Sequence, residues 1–333
     1  MAGAPKELLT DLLKDVSRSF YLTLRVLPDS IRRPIGLAYL LARATDTIAD
    51  TQIVPLEERL GSLRALRERI QGTAASPVDF GNLARHQGSP AERVLLENCD
   101  AALALLQRLS DGDRQLVRKA LDTITGGQEL DLRRFDGASA SRIVALRTDG
   151  ELEDYTYRVA GCVGEFWTNM CRAHVFPAAR LDDSVLLTEA VQFGKGLQLV
   201  NILRDLPADL RNGRCYLPAE TLGSIGLTPA DLLRTSSEPR LRPVYQQYLD
   251  RAEAYLAAGW SYTNALPWRH ARVRLACAWP ILIGARTIER LRVGNVLDPE
   301  QRVKISRHQV YRIILESVLF YPCPSIWRKL PGP

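Results

Sequence analysis

Residues 198–214 read QLVNILRDLPADLRNGR. Gln198, Asn201, Asp205 and Asp209 fall at i, i+3, i+7 and i+11, so on a helix they share one face. Two amides followed by two carboxylates make a poor core but suit metal ions and phosphate oxygens. Arg204, Arg211 and Arg214 flank them, and guanidinium groups pair bidentately with diphosphate. The plainer reading is a solvated polar face.

The same logic recurs upstream in LARATDTIADT, residues 41–51, where Tyr39, Arg43, Asp46 and Asp50 line up at i, i+4, i+7 and i+11. Taken alone this could be a salt-bridge ladder. Leu37, Leu40, Leu41 and Ile48 surround the charges, however, and charges on a largely buried helix usually serve a ligand or metal. Each Asp pair spans one helical turn. Buried together without a cation, such carboxylates would repel and desolvate at a cost of several kcal/mol. Mg²⁺, held by carboxylates together with substrate phosphates, resolves that cost. The two pairs point to a metal–diphosphate site.

The rest of the chain reads as helix. Ile31–Asp50, Leu56–Ile70, Ala91–Leu109, Asp113–Thr125, Asp149–Phe176, Asp182–Arg211, Pro243–Leu266, Arg269–Arg292 and Ser306–Phe320 carry helical patterns. Pro34 fits a first turn, and Gly72–Pro90 reads as a loop. No run alternates with period two long enough for a sheet. The expected architecture is all-α, one helical domain over residues 1–333 with its core at about 17–320. A hydrophobic content of 46% supports a large core, and aromatics at 7% with plentiful Leu, Ala and Arg favour helix over strand. The formal charge of +6 suits phosphorylated substrates or an anionic membrane surface. No basic run with interleaved aromatics supports nucleic acid. The six cysteines form no CxxC pair and read as reduced thiols. Neither a signal peptide nor a membrane-spanning run is present, so a cytoplasmic location is expected.

Three further segments stand out. DYTYRVAGCVGEFW, residues 154–167, brings Tyr155, Tyr157 and Arg158 before Gly161 and Gly164. Small residues there either let a neighbouring helix approach or leave room for an apolar ligand. Glu165 is a lone acid in the same stretch. SRSF, residues 17–20, is a polar break, and VKISRHQV, residues 303–310, is a basic one.

Together, in this order, these motifs resemble the squalene/phytoene synthase family of head-to-head prenyl synthases, most like a bacterial-type squalene synthase, from about Ser17 to Arg307. The resemblance implies the all-α isoprenoid synthase fold around a central apolar cavity. It implies two farnesyl diphosphates as substrates and Mg²⁺ at Asp46, Asp50, Asp205, Asp209 and Asn201. Diphosphate would meet Ser17, Arg18, Ser19, Phe20, Arg43, Arg158, Gln198, Asn201, Arg204 and Arg214. Tyr39, Tyr155, Tyr157 and Arg43 become the catalytic candidates, one tyrosine assisting the proton loss that closes the cyclopropane of presqualene diphosphate. SRSF, the DTIAD form of the first motif and VKISR lean towards reduction to squalene by NADPH, with Lys304, Arg307 and Arg204 at the nucleotide. A non-reductive phytoene or dehydrosqualene synthase, a presqualene diphosphate synthase and a non-catalytic scaffold are the alternatives. The hydrocarbon product must leave into a bilayer, so peripheral membrane contact is an option for which Val310–Pro333 is a candidate, with a packed C-terminal helix the plainer reading of that stretch. Two departures matter: Ala49 and Ala208 stand where many members have an extra acid, and Pro207 removes a helical hydrogen bond at ~3 kcal/mol and would kink the helix.

Overall fold

The computed structural model describes residues 11–17, 20–87, 89–301 and 303–330. They are almost entirely helical, and the chain falls into two compact units, residues 1–133 with 166–178, and residues 134–165 with 179–333. The described helices are α1 (Leu13–Ser17), α2 (Phe20–Val26), α3 (Asp29–Asp50), α4 (Leu56–Gln71), α5 (Gly81–Arg85), α6 (Pro90–Glu97), α7 (Cys99–Gln107) and α8 (Asp111–Arg134). They continue with α9 (Asp149–Thr156), α10 (Cys162–His174), α11 (Asp183–Arg211), α12 (Ala219–Ser224), α13 (Glu238–Ala265), α14 (Ala271–Val293), α15 (Arg307–Phe320) and α16 (Pro324–Trp327).

In the first unit α3 is the organising element. Ile31, Leu37, Leu40, Leu41, Ala44 and Ile48 are fully buried, and α3 packs on α4, α6 and α7. Leu60, Leu63, Leu66 and Ile70 bury one stripe of α4. That helix stops at Gly72, whose φ of +80° lets its amide turn back onto the Glu68 and Arg69 carbonyls. Because α3 begins at Asp29, Pro34 lies in its second turn and not in its first.

Other boundaries also differ from expectation, each for a local reason. The stretch Ala91–Leu109 is divided at Asn98, whose side-chain amide bonds the Val94 carbonyl at 2.8 Å in competition with the helical ladder. Part of the expected loop after Gly72 winds into α5. Helix α8 runs past Gly126 and Gly127 to Arg134, because Glu129 is tied to Arg67 and Gln128 to Asp46. All six cysteines are free thiols, five of them buried.

In the second unit α11 is the central element and packs on α13 and α14. Leu199, Leu203, Leu206 and Leu210 of α11 join Tyr245, Leu249, Ala252 and Leu256 of α13 and Ile281 and Ile288 of α14 in one core. A short parallel pair, β1 (Val144–Ala145) with β2 (Arg214–Cys215), fastens the chain just after α11. The family of small residues found in the sequence resolves in favour of helix approach. A Cβ on Gly164 would lie 2.0 Å from the Ala190 carbonyl oxygen, and one on Gly194 would lie 2.3 Å from that of Ala160. Between α9 and α10 the residues Tyr157–Gly161 form a π turn, a feature often found at functional positions.

Gly164→Ala cannot be accommodated by a side-chain shift, because the obstacle is backbone. Urea unfolding is expected to show a loss of ~2–3 kcal/mol, against well under 1 kcal/mol for Gly112→Ala, whose Cβ meets nothing within 4 Å.

Candidate functional site

In the first unit the acidic pair sits on the partly exposed edge of α3, opposite its buried stripe. Arg43 lies between two acids. It hydrogen-bonds Glu92 of α6 and stands 3.8 Å from Asp46. Desolvation pulls the guanidinium down, but Glu92 and Asp46 outweigh it and hold Arg43 above its ordinary range. Tyr39, one turn back, adds to the same field. Asp46 also accepts a 2.5 Å hydrogen bond from the Gln128 amide of α8. About half of the Asp46 side chain, 49%, reaches solvent, yet its carboxyl is pushed up to about 6. Desolvation is the main cause and the Asp50 charge the next, with Arg43 and Gln128 pulling the other way. Asp50 itself is exposed.

Gln128 and Glu92 are residues that sequence reasoning missed. Gln128 is 7% exposed, and its Oε1 has no hydrogen-bond partner. The only signal for it is the polar run QELD after Gly126 and Gly127, which lies beyond the expected helix end at Thr125. Of the SRSF segment, Ser17 is buried with an unpartnered Oγ. Arg18, Ser19 and the Phe20 side chain lie outside the described residues.

In the second unit the polar face of α11 is intact. Gln198, Asn201, Asp205 and Asp209 are all partly exposed, while Leu199, Leu203, Leu206 and Leu210 are buried. Arg204 forks onto its neighbour, donating from Nε to Asp205 Oδ1 at 2.9 Å and from Nη2 to Oδ2 at 2.5 Å. The Asp205 hydrogen bonds raise Arg204 above its ordinary range against the opposing effect of burial. Arg214 lies over the Phe135 ring, 5.8 Å from its centroid.

The tyrosine candidates separate. Tyr155 stacks on Tyr216 at 4.7 Å and packs against the core, so its ring has a structural task. Tyr157, in the π turn, donates to Glu165 Oε1 at 2.9 Å. Desolvation, reinforced by that carboxylate, pushes the phenol up to about 12 and keeps it protonated at neutral pH. Arg158 is committed to Asp154 one turn back, at 2.7 Å. Lys304 and Arg307 are exposed beside the start of α15, where the Lys304 carbonyl accepts from Arg290. The contacts of Arg204 lie with Asp205, not with these two.

Among the described residues no three His, Cys, Asp or Glu side chains form a ready-made metal cage. Mg²⁺ does not require one. It takes one or two carboxylates and fills its remaining positions with waters and substrate phosphates. Each Asp pair offers that donor set. The Arg204 fork leaves Asp205 with acceptor capacity, since a carboxylate has about four lone-pair sites.

The squalene/phytoene synthase family model matches residues 13–309. A presqualene diphosphate synthase of Zymomonas mobilis is 30% identical over 242 residues, covering 73% of this chain and 70% of that protein. A bifunctional lycopene cyclase/phytoene synthase of Blakeslea trispora is 27% identical over 91% of this chain. The chain spans about half of that fungal protein, 48%. Among solved structures, TcSQS in complex with the ligand E5700 superposes with a TM-score of 0.76 at 22% identity, covering 97% of this chain and 90% of that one. No described helix is long and apolar enough to cross a membrane.

The raised Asp46 pKa carries a signed consequence. The folded-state value of about 6 exceeds the unfolded value of 3.8, so ionising Asp46 costs stability as pH rises from about 4 to 6, and the cost persists above that. Asp46→Asn is therefore expected to stabilise the metal-free protein at pH 7.5, by ~1 kcal/mol once solvent screening of a half-exposed group is allowed for, and not at pH 4. Gln128→Leu removes a bond that favours the carboxylate, so carbon-13 NMR titration should find Asp46 titrating still higher than in the parent protein.

Proposed function

The chain belongs to the squalene/phytoene synthase family of head-to-head prenyltransferases, and we propose that within it the protein is a reductive squalene synthase acting on two farnesyl diphosphates. The observation that supports diphosphate ionisation is the repeated unit of an Asp pair with an arginine already engaged on it, Arg43 at Asp46 and Arg204 at Asp205, while the reductive step rests on the exposed cationic pair Lys304 and Arg307. Guanidinium groups so placed neutralise a leaving diphosphate without reorganising. Bound at the Asp pairs, Mg²⁺ would supply Lewis-acid stabilisation of the same charge. Gln198 and Asn201 extend the α11 face with neutral groups that can orient phosphate oxygens or a hydrated cation.

The first ionisation leaves an allylic cation that alkylates the second substrate, and loss of a proton closes the cyclopropane of presqualene diphosphate. Tyr157 is the better-placed of the two tyrosines in its motif to steer that proton. Its ring is not stacked into the core as Tyr155 is, and its hydroxyl is already hydrogen-bonded to a carboxylate. Departure of the remaining diphosphate and rearrangement of the cyclopropylcarbinyl cation would follow, and NADPH would supply the hydride that quenches the final cation. Lys304 and Arg307, both exposed and cationic, suit its phosphates.

A second reading, a presqualene diphosphate synthase that stops at the cyclopropane, has its support in the name of the Zymomonas relative. Incubation with farnesyl diphosphate and Mg²⁺ separates the two. Squalene formed only with NADPH is the expected outcome, and presqualene diphosphate accumulating despite NADPH overturns the reductive step. Asp46→Ala and Asp209→Ala should each lower the first ionisation by ~10²-fold or more. Lys304→Glu with Arg307→Glu should raise KM for NADPH while leaving presqualene diphosphate formation unchanged.

A further inference from the structure

Pro207 lies between Asp205 and Asp209, and α11 nevertheless runs through it to Arg211. A proline at this position has no N–H for the carbonyl four residues back, which is that of Leu203. Leu203 is fully buried, so water cannot take the vacant place. The Leu203 carbonyl instead accepts a 2.8 Å hydrogen bond from the hydroxyl of Tyr245 on α13. We infer that Tyr245 is a positioning residue for the second acidic motif, its hydroxyl standing in for the amide that Pro207 lacks and so holding the turn that carries Arg204 and Asp205.

Several observations separate this from a buried tyrosine finding any convenient acceptor. In a regular helix the amide of residue 207 would engage the Leu203 carbonyl, and with proline there a hydroxyl from another helix supplies the donor. Pro280 creates the same vacancy in α14, at Ala276, yet among the described residues no side chain donates to that carbonyl. The repair occurs at the acidic motif. The donor is also fixed in place. Tyr245 is fully buried, and the Arg242 guanidinium lies 5.7 Å from its ring centroid. Arg242 is itself held by the Leu291 and Gly294 carbonyls and by Glu238. The hydroxyl cannot swing away to another partner without moving that set. Losing it would leave the Leu203 carbonyl unsatisfied in the turn whose next two side chains form the Arg204–Asp205 fork.

The inference rests on the diphosphate reading of Asp205 and Asp209 only for its consequence in binding; the hydroxyl-for-amide replacement can be tested without it. Tyr245→Phe, Pro207→Ala and the double variant form a cycle, read by thermal melting and by calorimetric binding of inorganic pyrophosphate with Mg²⁺. Tyr245→Phe should lower the melting temperature by ~3 °C or more and weaken pyrophosphate binding about 10-fold. In the Pro207→Ala background the same change should have little effect on either, because alanine restores the amide donor to Leu203. Equal losses in both backgrounds overturn the replacement. Lower melting with unchanged pyrophosphate binding overturns the positioning role. Should Tyr245→Phe fail to fold, a folded double variant supports the pairing and an unfolded one overturns it. If the parent protein binds no Mg²⁺–pyrophosphate, the diphosphate reading and the positioning role fall together, while the melting cycle still decides the pairing.

Discussion

Two carboxylates one turn apart on a helix repel each other, and most of the polar structure around both acidic motifs answers that repulsion. In the first unit the answer is distributed. Arg43 stands between Asp46 and Glu92, and Gln128 donates to Asp46 from another helix. It is also incomplete: desolvation first, and the Asp50 charge second, still push the Asp46 carboxyl up to about 6. In the second unit the answer is local: Arg204 forks onto the very next residue and covers both oxygens of Asp205. Under the proposed reading each pair would bind a cation and phosphate oxygens, and unfinished compensation leaves free energy for such a ligand to gain.

The repulsion is tolerable only because each acidic helix is anchored on its other face. The stripe Ile31, Leu37, Leu41 and Ile48 holds α3, and Leu199, Leu203, Leu206 and Leu210 hold α11. Burial of such side chains stabilises each helix by ~1.5–3 kcal/mol per residue, well above the cost of one strained carboxylate pair at the surface. The glycine seam adds a geometric condition. Gly164 and Gly194 allow backbone-to-backbone approach between the Tyr157 region and α11 that no Cβ would permit. Tyr157 is thus set by the same packing that sets the Asp205 helix.

The helices were legible because their signals are local. The periodic stretches beginning at Ile31, Leu56 and Asp182 became helices starting at Asp29, Leu56 and Asp183, and the polar faces of α3 and α11 are the ones that spacing assigned. What sequence could not supply were contacts made across long separations. Gln128 reaches Asp46 over 82 residues, Arg43 reaches Glu92 over 49, and Tyr245 reaches Leu203 over 42. None follows a periodicity. The extension of α8 past two glycines shows the same limit from the other side, because propensity ends that helix and the Gln128 and Glu129 contacts continue it. The π turn at Tyr157–Gly161 is likewise invisible to a 3.6-residue pattern, which shifts by only one residue across it.

The two missing acids, at Ala49 and Ala208, are not equivalent. Ala49 is buried on α3, and its carbonyl is engaged by Arg59 at 2.8 Å, so a carboxylate there would face the core and would need a partner of its own. Ala208 is exposed and lies three residues beyond Asp205, on the same side of α11, where a carboxylate would reach solvent. The first departure thus spares the core a charge it could not solvate, whereas the second removes one that water would have reached. The division between buried and exposed sides also explains how Pro207 is tolerated. It removes a backbone bond on the buried side of α11, where Tyr245 can replace it, and leaves the partly exposed carboxylate face untouched.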